Sequence, residues 1–269
     1  MSDVPSVGSK AVYSLMRAPE LVPASRFSLA ELARGFTGSF EGYVIPLTID
    51  EPGFRRMAEL FDFNLDISRV AVRDGKPVGL VNVGLRGASA WIGGMGVVPS
   101  ERRAGIGEAL MQSAHEAAAA CGVAEVWLEV ITSNTPALRL YEKLGYEQIR
   151  DLEVWEIEAA PRPSTAREAD VHRAHEQVRA LRRTREPWQR SDATLEHILA
   201  SEAATGLVVD RSAAAVVRSA ADHVTVEQIA ARDVDAAAEI LSGALAGKRR
   251  LRLSNIPAGD DAALALARP

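Results

Sequence analysis

Cysteine is almost missing from this sequence: Cys121 is the single one, so no disulfide can form within the chain and oxidative cross-links play no part in the fold. Positive charge is not in excess either. Lysine and arginine total 31 against 36 acids, a net charge of −5, which argues against a nucleic-acid or anionic-membrane surface and leaves room for a cationic acceptor. Nowhere do about 18 apolar residues run together, and residues 1–27 lack a basic start followed by an apolar core, so neither a membrane span nor a signal peptide is expected. A soluble cytoplasmic protein fits these absences. His172 and His175 have a spacing that could suit a metal but lack a nearby cysteine or third ligand, so the sequence predicts no metal and a solvated helix face. The basic run RALRRTRE carries a glutamate and reads as an exposed face. No strand-to-helix turn carries a Lys-Ser/Thr pair, which disfavours a nucleoside triphosphate.

What is present is ordinary globular material: 269 residues, 47% hydrophobic and 25% charged, enough for two domains with cores of their own. Residues 1–19 read as a loose tail. SLAELARGFTGSF (28–40) and IDEPGFRRMAELFDF (49–63) have apolar residues at helical spacing, the first behind a serine suited to capping, so two helices are expected before any sheet. Three antiparallel strands follow in SRVAVRDGKPVGLVNVGLRGASAWIGGMGVVP, where Asp74-Gly75 supplies a hairpin turn. Ile106, Leu110, Ala114, Ala117 and Cys121 form one helical stripe, which makes Cys121 a core residue. AEVWLEVI reads as a buried strand, NTPALRLYEKLG as a helix, and YEQIRDLEVWEIE as the strand that closes the first half.

This order predicts an α/β protein with a mixed sheet and a first domain over 20–158. The proline-rich segment at 159–166 is the expected linker, and 167–269 repeats the order of elements, placing Asn255 opposite Asn134. The repeat is an imperfect copy. TVEQIAARD runs straight into its helix without a glycine-rich turn, and no last strand follows, so the second copy is expected to be degenerate and truncated and to bind no cofactor. The edge so left is one that either the first domain or a second copy of the chain, as a homodimer, would cover.

The most informative stretch is VVPSERRAGIGEALM at 97–111, a handover from strand to helix with two arginines and two glycines between. Unpaired N–H groups of a helix start, the positive end of its dipole and glycines that admit a bulky group make an anion site. MGVVPSERRAGIG resembles the acetyl-CoA loop of the GNAT acetyltransferases, an arginine or glutamine, two residues, glycine, one residue, then glycine or alanine, with Arg102, Gly105 and Gly107 in register. LEVITSNTPALRLYEKLGY resembles the second half of the same family's core, especially its N-terminal-peptide acetyltransferases.

The resemblance implies a duplicated GNAT fold and an N-acetyltransferase that moves the acetyl group of acetyl-CoA to a primary amine of a peptide or small molecule. It implies that Arg103, Ala104, Gly105, Ile106, Gly107 and Glu108 wrap the pyrophosphate through their amides, with Arg102 adding charge, and that Met95, Gly96 and Val97 pair with the pantetheine arm. Direct attack needs a neutral amine. A lysine costs about 4.6 kcal/mol to deprotonate at pH 7 and an α-amine only about 1. Glu129 is the candidate base, directly or through water, or else a solvated rim residue; Tyr141 is the candidate acid for the leaving sulfur, or else a packing aromatic. Asn134 binds the cofactor, caps its helix, or does both. The alternative reading is a non-catalytic acyl-CoA-binding or interaction protein of the same fold.

Overall fold

A computed structural model describes residues 18–158 and 163–267. The expected tail lies outside the described residues except for its last two, as does the first half of the expected linker. The described chain divides into two compact units, one holding Asn64–Trp127 with the residues up to Phe54, the other holding Arg55–Phe63 with the residues from Leu128 onward.

The first unit is built on a five-stranded sheet of order β1-β2-β3-β4-β5. Strand β1 (Glu20–Pro23) comes before either helix and pairs antiparallel with β2, which corrects the expectation that two helices precede the sheet; four residues are too few to show an alternation. Helix α1 (Leu29–Ser39) starts as its sequence predicts. Ser28 Oγ accepts the Glu31 amide at 3.3 Å while the Glu31 carboxylate accepts the Ser28 amide at 2.8 Å, so two orphan donors of the first turn are satisfied. Helix α2 (Glu51–Leu60) follows and passes from one unit to the other between Phe54 and Arg55.

Strands β2 (Arg69–Arg73), β3 (Lys76–Arg86) and β4 (Ser89–Val97) form the expected meander, with Asp74 and Gly75 both at positive φ in the turn. Leu80 packs on Gly35 of α1, whereas Leu110 of α3 (Ile106–Ala120) lies over Gly79, so these two helices cover opposite faces of β3. Ile106, Leu110, Met111, Ala114 and Ala118 are buried along α3. Cys121 is exposed, contrary to its expected core position, because it is the C-cap, past the last helical residue. Strand β5 (Glu125–Leu128) is shorter than the eight-residue run suggested.

In the second unit, α4 (Thr135–Lys143) leads to β6 (Leu152–Glu158) and then to the repeated elements. These are β7 (Arg167–Ala169), α5 (Val171–Leu181), α6 (Asp192–Ser201), β8 (Thr205–Val209), β9 (Ala213–Ser219), β10 (His223–Ala231), α7 (Val234–Ala244), β11 (Arg250–Pro257) and α8 (Asp261–Leu266). Their sheet has the order β6-β11-β10-β9-β8-β7. Strand β6 does not end the first sheet; it pairs antiparallel with β11, Leu152 opposite Pro257 and Glu158 opposite Arg250. The edge of β11 that the sequence left open is thus covered by residues 152–158. Alternation along β6 marks it as a strand, but no local pattern says which sheet receives it.

Both faces of this sheet are covered, and β9 accordingly reads as an unbroken apolar run. Ala213, Ala215 and Val217 pack with Ile240 and Leu241 of α7, while Ala214 joins Ala174 and Val178 of α5. Asn255 does not correspond to Asn134 in structure. It sits at a bulge inside β11 with φ 58°, and α8 is capped instead by Asp260.

Candidate functional site

The handover from β4 to α3 carries the distinctive geometry. Just before it, the β3–β4 register slips by one residue between Asn82/Gly94 and Val83/Ile92, a bulge centred on Gly93 with Gly94 at φ 144°. Met95, Gly96 and Val97 then pair with Val81, Leu80 and Gly79. Gly96 is required here, because a Cβ on it would come within 2.8 Å of Ser39 Cβ and 3.0 Å of the Ser39 carbonyl oxygen at the end of α1.

A single 3-10 turn at Pro99–Glu101 follows, closed by the Arg102 amide on the Pro99 carbonyl. Arg103 has φ 66° and Gly105 φ 78°, two left-handed residues separated by Ala104. Such alternation turns successive N–H groups toward one side, the geometry of a backbone nest. Gly105 is the N-cap of α3 and offers no side chain to the first turn; the first helical bond of α3 runs from the Ala109 amide to the Gly105 carbonyl. The amides of the first turn and the dipole of a 15-residue helix therefore point out of the loop. Glu101 pairs with Arg73 of β2 and fixes the loop's entry to the sheet.

Arg102 uses its side chain within the protein. Its Nε donates to the Val97 carbonyl at 2.9 Å, and one terminal nitrogen donates to the carbonyls of Glu41 at 2.6 Å and Ser39 at 3.3 Å. Arg103, Ala104 and Gly105 are exposed, Ile106 is buried, and Gly107 and Glu108 are half-buried.

The remaining candidates belong to the other unit. Glu129 lies one residue beyond β5, half-buried, and accepts from Gln189 Nε2 at 3.3 Å. Asn134 caps α4, its side chain accepting the Ala137 amide at 3.3 Å. Tyr141, half-buried on the same helix, sits edge-on to Tyr146 with ring centroids 5.7 Å apart. Burial, with the neighbouring Tyr141 as a second cause, raises the Tyr146 hydroxyl above its ordinary value.

The largest feature that sequence reading missed is a polar network in the second unit. His175, expected on a solvated face, is only 8% exposed and its Nε2 lies 2.9 Å from Asp192 Oδ1. Arg182, read as part of an exposed basic run, forms a two-pronged pair with Asp192 at 2.8 and 3.2 Å and also donates to Gln228 Oε1. Burial alone would raise the Asp192 carboxyl, but hydrogen bonds from Arg182 and His175, the Arg182 charge and Gln228 outweigh it and hold the group well below the carboxylate range. Nothing local in the sequence pairs α5 with the first residue of α6.

Among the described residues no group of three metal-binding side chains converges, and no helix is long and apolar enough to cross a membrane.

Residues 39–146 match the acetyltransferase (GNAT) family. An N-alpha-acetyltransferase of Sulfurisphaera tokodaii is 44% identical over 57 residues, 21% of this chain and 34% of that protein. The ribosomal protein bS18-alanine N-acetyltransferase of Escherichia coli is 42% identical over 52 residues, 19% of this chain and 35% of that one. The chain thus spans about a third of the length of the curated relatives it matches. The crystal structure of a GCN5-related N-acetyltransferase from Sphaerobacter thermophilus superposes with a TM-score of 0.62 at 22% identity, covering 90% of this chain and 86% of that one, so the fold is shared through both halves. The similarity to the acetyltransferase (GNAT) family is carried by residues 39–146.

Proposed function

We propose that the chain is an acetyl-CoA-dependent N-acetyltransferase of the cytoplasm, acting on a primary amine through its first GNAT copy, with a second copy that holds no cofactor. The observation that carries this reading is the loop at 102–107, where the R-x-x-G-x-G sequence folds into alternating left-handed turns at an uncapped helix start. That geometry suits a diphosphate: the amides of Arg103, Ala104, Gly105, Ile106, Gly107 and Glu108 would hold it, and the dipole of α3 favours its charge. The peptide groups of Met95, Gly96 and Val97, beside the β4 bulge, would pair with the amides of the pantetheine arm. When bound, acetyl-CoA supplies the thioester that makes the acyl group transferable.

The rest of the chemistry falls to side chains of this chain. Glu129 Oε takes the proton that the acceptor amine must lose, directly or through a water, and Tyr141 Oη gives a proton to the departing sulfur. Asn134 holds the start of α4, and with it the register of Tyr141. An α-amine is the favoured acceptor because it needs about 3.6 kcal/mol less than a lysine to be neutral at pH 7. The name of one curated relative, an N-alpha-acetyltransferase, supports the same preference.

Calorimetric titration with acetyl-CoA tests the reading. One site per chain is expected, lost in Gly107→Glu at an unchanged melting temperature. Turnover on a panel of peptides with free N-termini should fall in Tyr141→Phe while affinity for acetyl-CoA is kept. No binding by the wild-type chain overturns the reading, and two sites per chain overturn the assignment of the second copy.

A further inference from the structure

Arg102 opens the cofactor motif, yet its guanidinium reaches away from the nest that follows it. Its three acceptors are the carbonyl that ends β4, at Val97, the carbonyl of the last residue of α1, at Ser39, and the carbonyl of Glu41 in the loop beyond. The last carbonyls of a helix have no partner within it and carry the negative end of its dipole, so a cation placed there is favourable on both counts. Arginine suits this role better than lysine, because a planar fork can hold separate acceptors at once.

The loop over residues 40–49 that Arg102 grips has a second anchor at its far end. Thr37 Oγ1 donates to the Ile49 carbonyl at 3.2 Å and accepts the Ile49 amide at 3.1 Å. Between the anchors Tyr43 packs edge-on against Phe40, and Val44 and Ile45 are 61% and 53% exposed. The apolar tip is thus held at both ends, and it lies between α1 and α2. Only one of its anchors belongs to the cofactor loop.

We infer that Arg102 is a positioning residue that makes the 40–49 loop follow the state of the cofactor loop, so that acetyl-CoA held by the amides from Arg103 onward also sets the conformation of the 40–49 loop. The inference rests on the proposed acetyl-CoA site. The bridge is short: the residue after Arg102 is the left-handed Arg103, so any change in the nest moves the peptide from which the guanidinium hangs.

Hydrogen exchange on the full chain, with and without saturating acetyl-CoA, tests it. In the wild type, acetyl-CoA is expected to slow exchange over 103–108 and, by about threefold or more, over 40–49. In Arg102→Ala the first effect stays, with affinity measured by calorimetry reduced less than about tenfold, and the second vanishes. Arg102→Gln, which keeps one forked donor, should restore part of the response; it also serves if the alanine variant fails to fold. Thr37→Val loosens the far anchor alone. It should speed exchange at 45–49 in both states and leave the response near Glu41 intact, which a merely structural role for Arg102 would not reproduce. A 40–49 loop that ignores acetyl-CoA in the wild type, or still responds in Arg102→Ala, overturns the inference. If the wild type binds no acetyl-CoA, the functional reading fails separately, and unchanged exchange at 38–43 in unliganded Arg102→Ala then removes the bridge as well.

Discussion

The two strand-to-helix handovers of the duplicated fold solve the same problem in opposite ways. Between Val97 and Ile106 the chain takes eight residues, turns left-handed twice and leaves the start of α3 without a side-chain cap. Between Ala231 and Val234 it takes two, and the Asp233 carboxylate accepts the Ala236 amide at 2.9 Å. A carboxylate at a helix start satisfies the orphan amides and meets the positive end of the dipole, so it occupies the place an external anion would take. The second copy caps its own helix start with a side chain; the first leaves that start without one, behind a loop with two left-handed residues.

The same self-sufficiency appears between β10 and β11. They pair in parallel only from His223/Arg250 to Thr225/Arg252. Beyond that point Arg190, 6% exposed, donates to the carbonyls of Val226 and Ser254 at 3.3 and 3.4 Å and pairs with Glu186 at 3.0 Å. Arg190→Met should cause the largest change, a loss of about 3 kcal/mol in denaturant unfolding, because it leaves the buried Glu186 carboxylate with only the more distant Arg182 at 3.8 Å and takes a donor from two carbonyls. Adding Glu186→Gln should return part of that loss, and acetyl-CoA stoichiometry should stay at one per chain. A loss below about 1 kcal/mol would mean that the arginine is replaceable filler.

Copying the second solution into the first breaks the comparison directly. Gly105→Asp places a carboxylate where α3 is now open, and aspartate tolerates φ 78° better than most residues. Acetyl-CoA affinity should fall about a hundredfold, or about 2.7 kcal/mol. Gly105→Asn, with the same shape and no charge, should lose about tenfold or less. Equal losses in the two variants would assign the effect to backbone strain alone.

Acid sharpens the contrast in the second unit. The Asp192 carboxyl is held low in the folded chain, against burial, by Arg182 and His175, so the unfolded chain takes up its proton first as pH falls. Its contribution is therefore complete above the ordinary carboxylate pKa near 4 and disappears as pH drops toward the lower folded value. Asp192→Asn should cost about 2 kcal/mol at pH 7 and flatten the decline of stability below pH 4. A wild-type acid limb retained in the variant would place the titrating group elsewhere.

Much of this was legible from sequence because the decisive signals are local. Ser28 reads as a helix cap, Asp74-Gly75 makes a turn, and the spacing of Arg102, Gly105 and Gly107 marks the loop. What was not legible depends on distant partners. Strands β1 and β7, of four and three residues, exist through pairing with β2 and β8 and are too short to alternate visibly. The sheet that receives β6 is set by β11, nearly a hundred residues away. His175 reads as a surface residue until Asp192 arrives from the next helix, and Arg102 reads as a phosphate ligand until Glu41 and Ser39 present their carbonyls.

The smallest expected effect separates the shape of the anion nest from its charge. Arg103 holds φ 66° without being glycine, a conformation worth about 1 kcal/mol of strain. Arg103→Gly relieves that strain but also frees the unfolded chain by about the same amount, so net stability should move by less than about 0.5 kcal/mol. The left-handed turn and its amides survive the change, while one cation beside the diphosphate is lost. Acetyl-CoA affinity should therefore fall only about threefold, and the fall should shrink as salt is raised because the lost term is an exposed charge. A loss that persists at high salt would mean that the arginine side chain, and not the backbone it distorts, organises the loop.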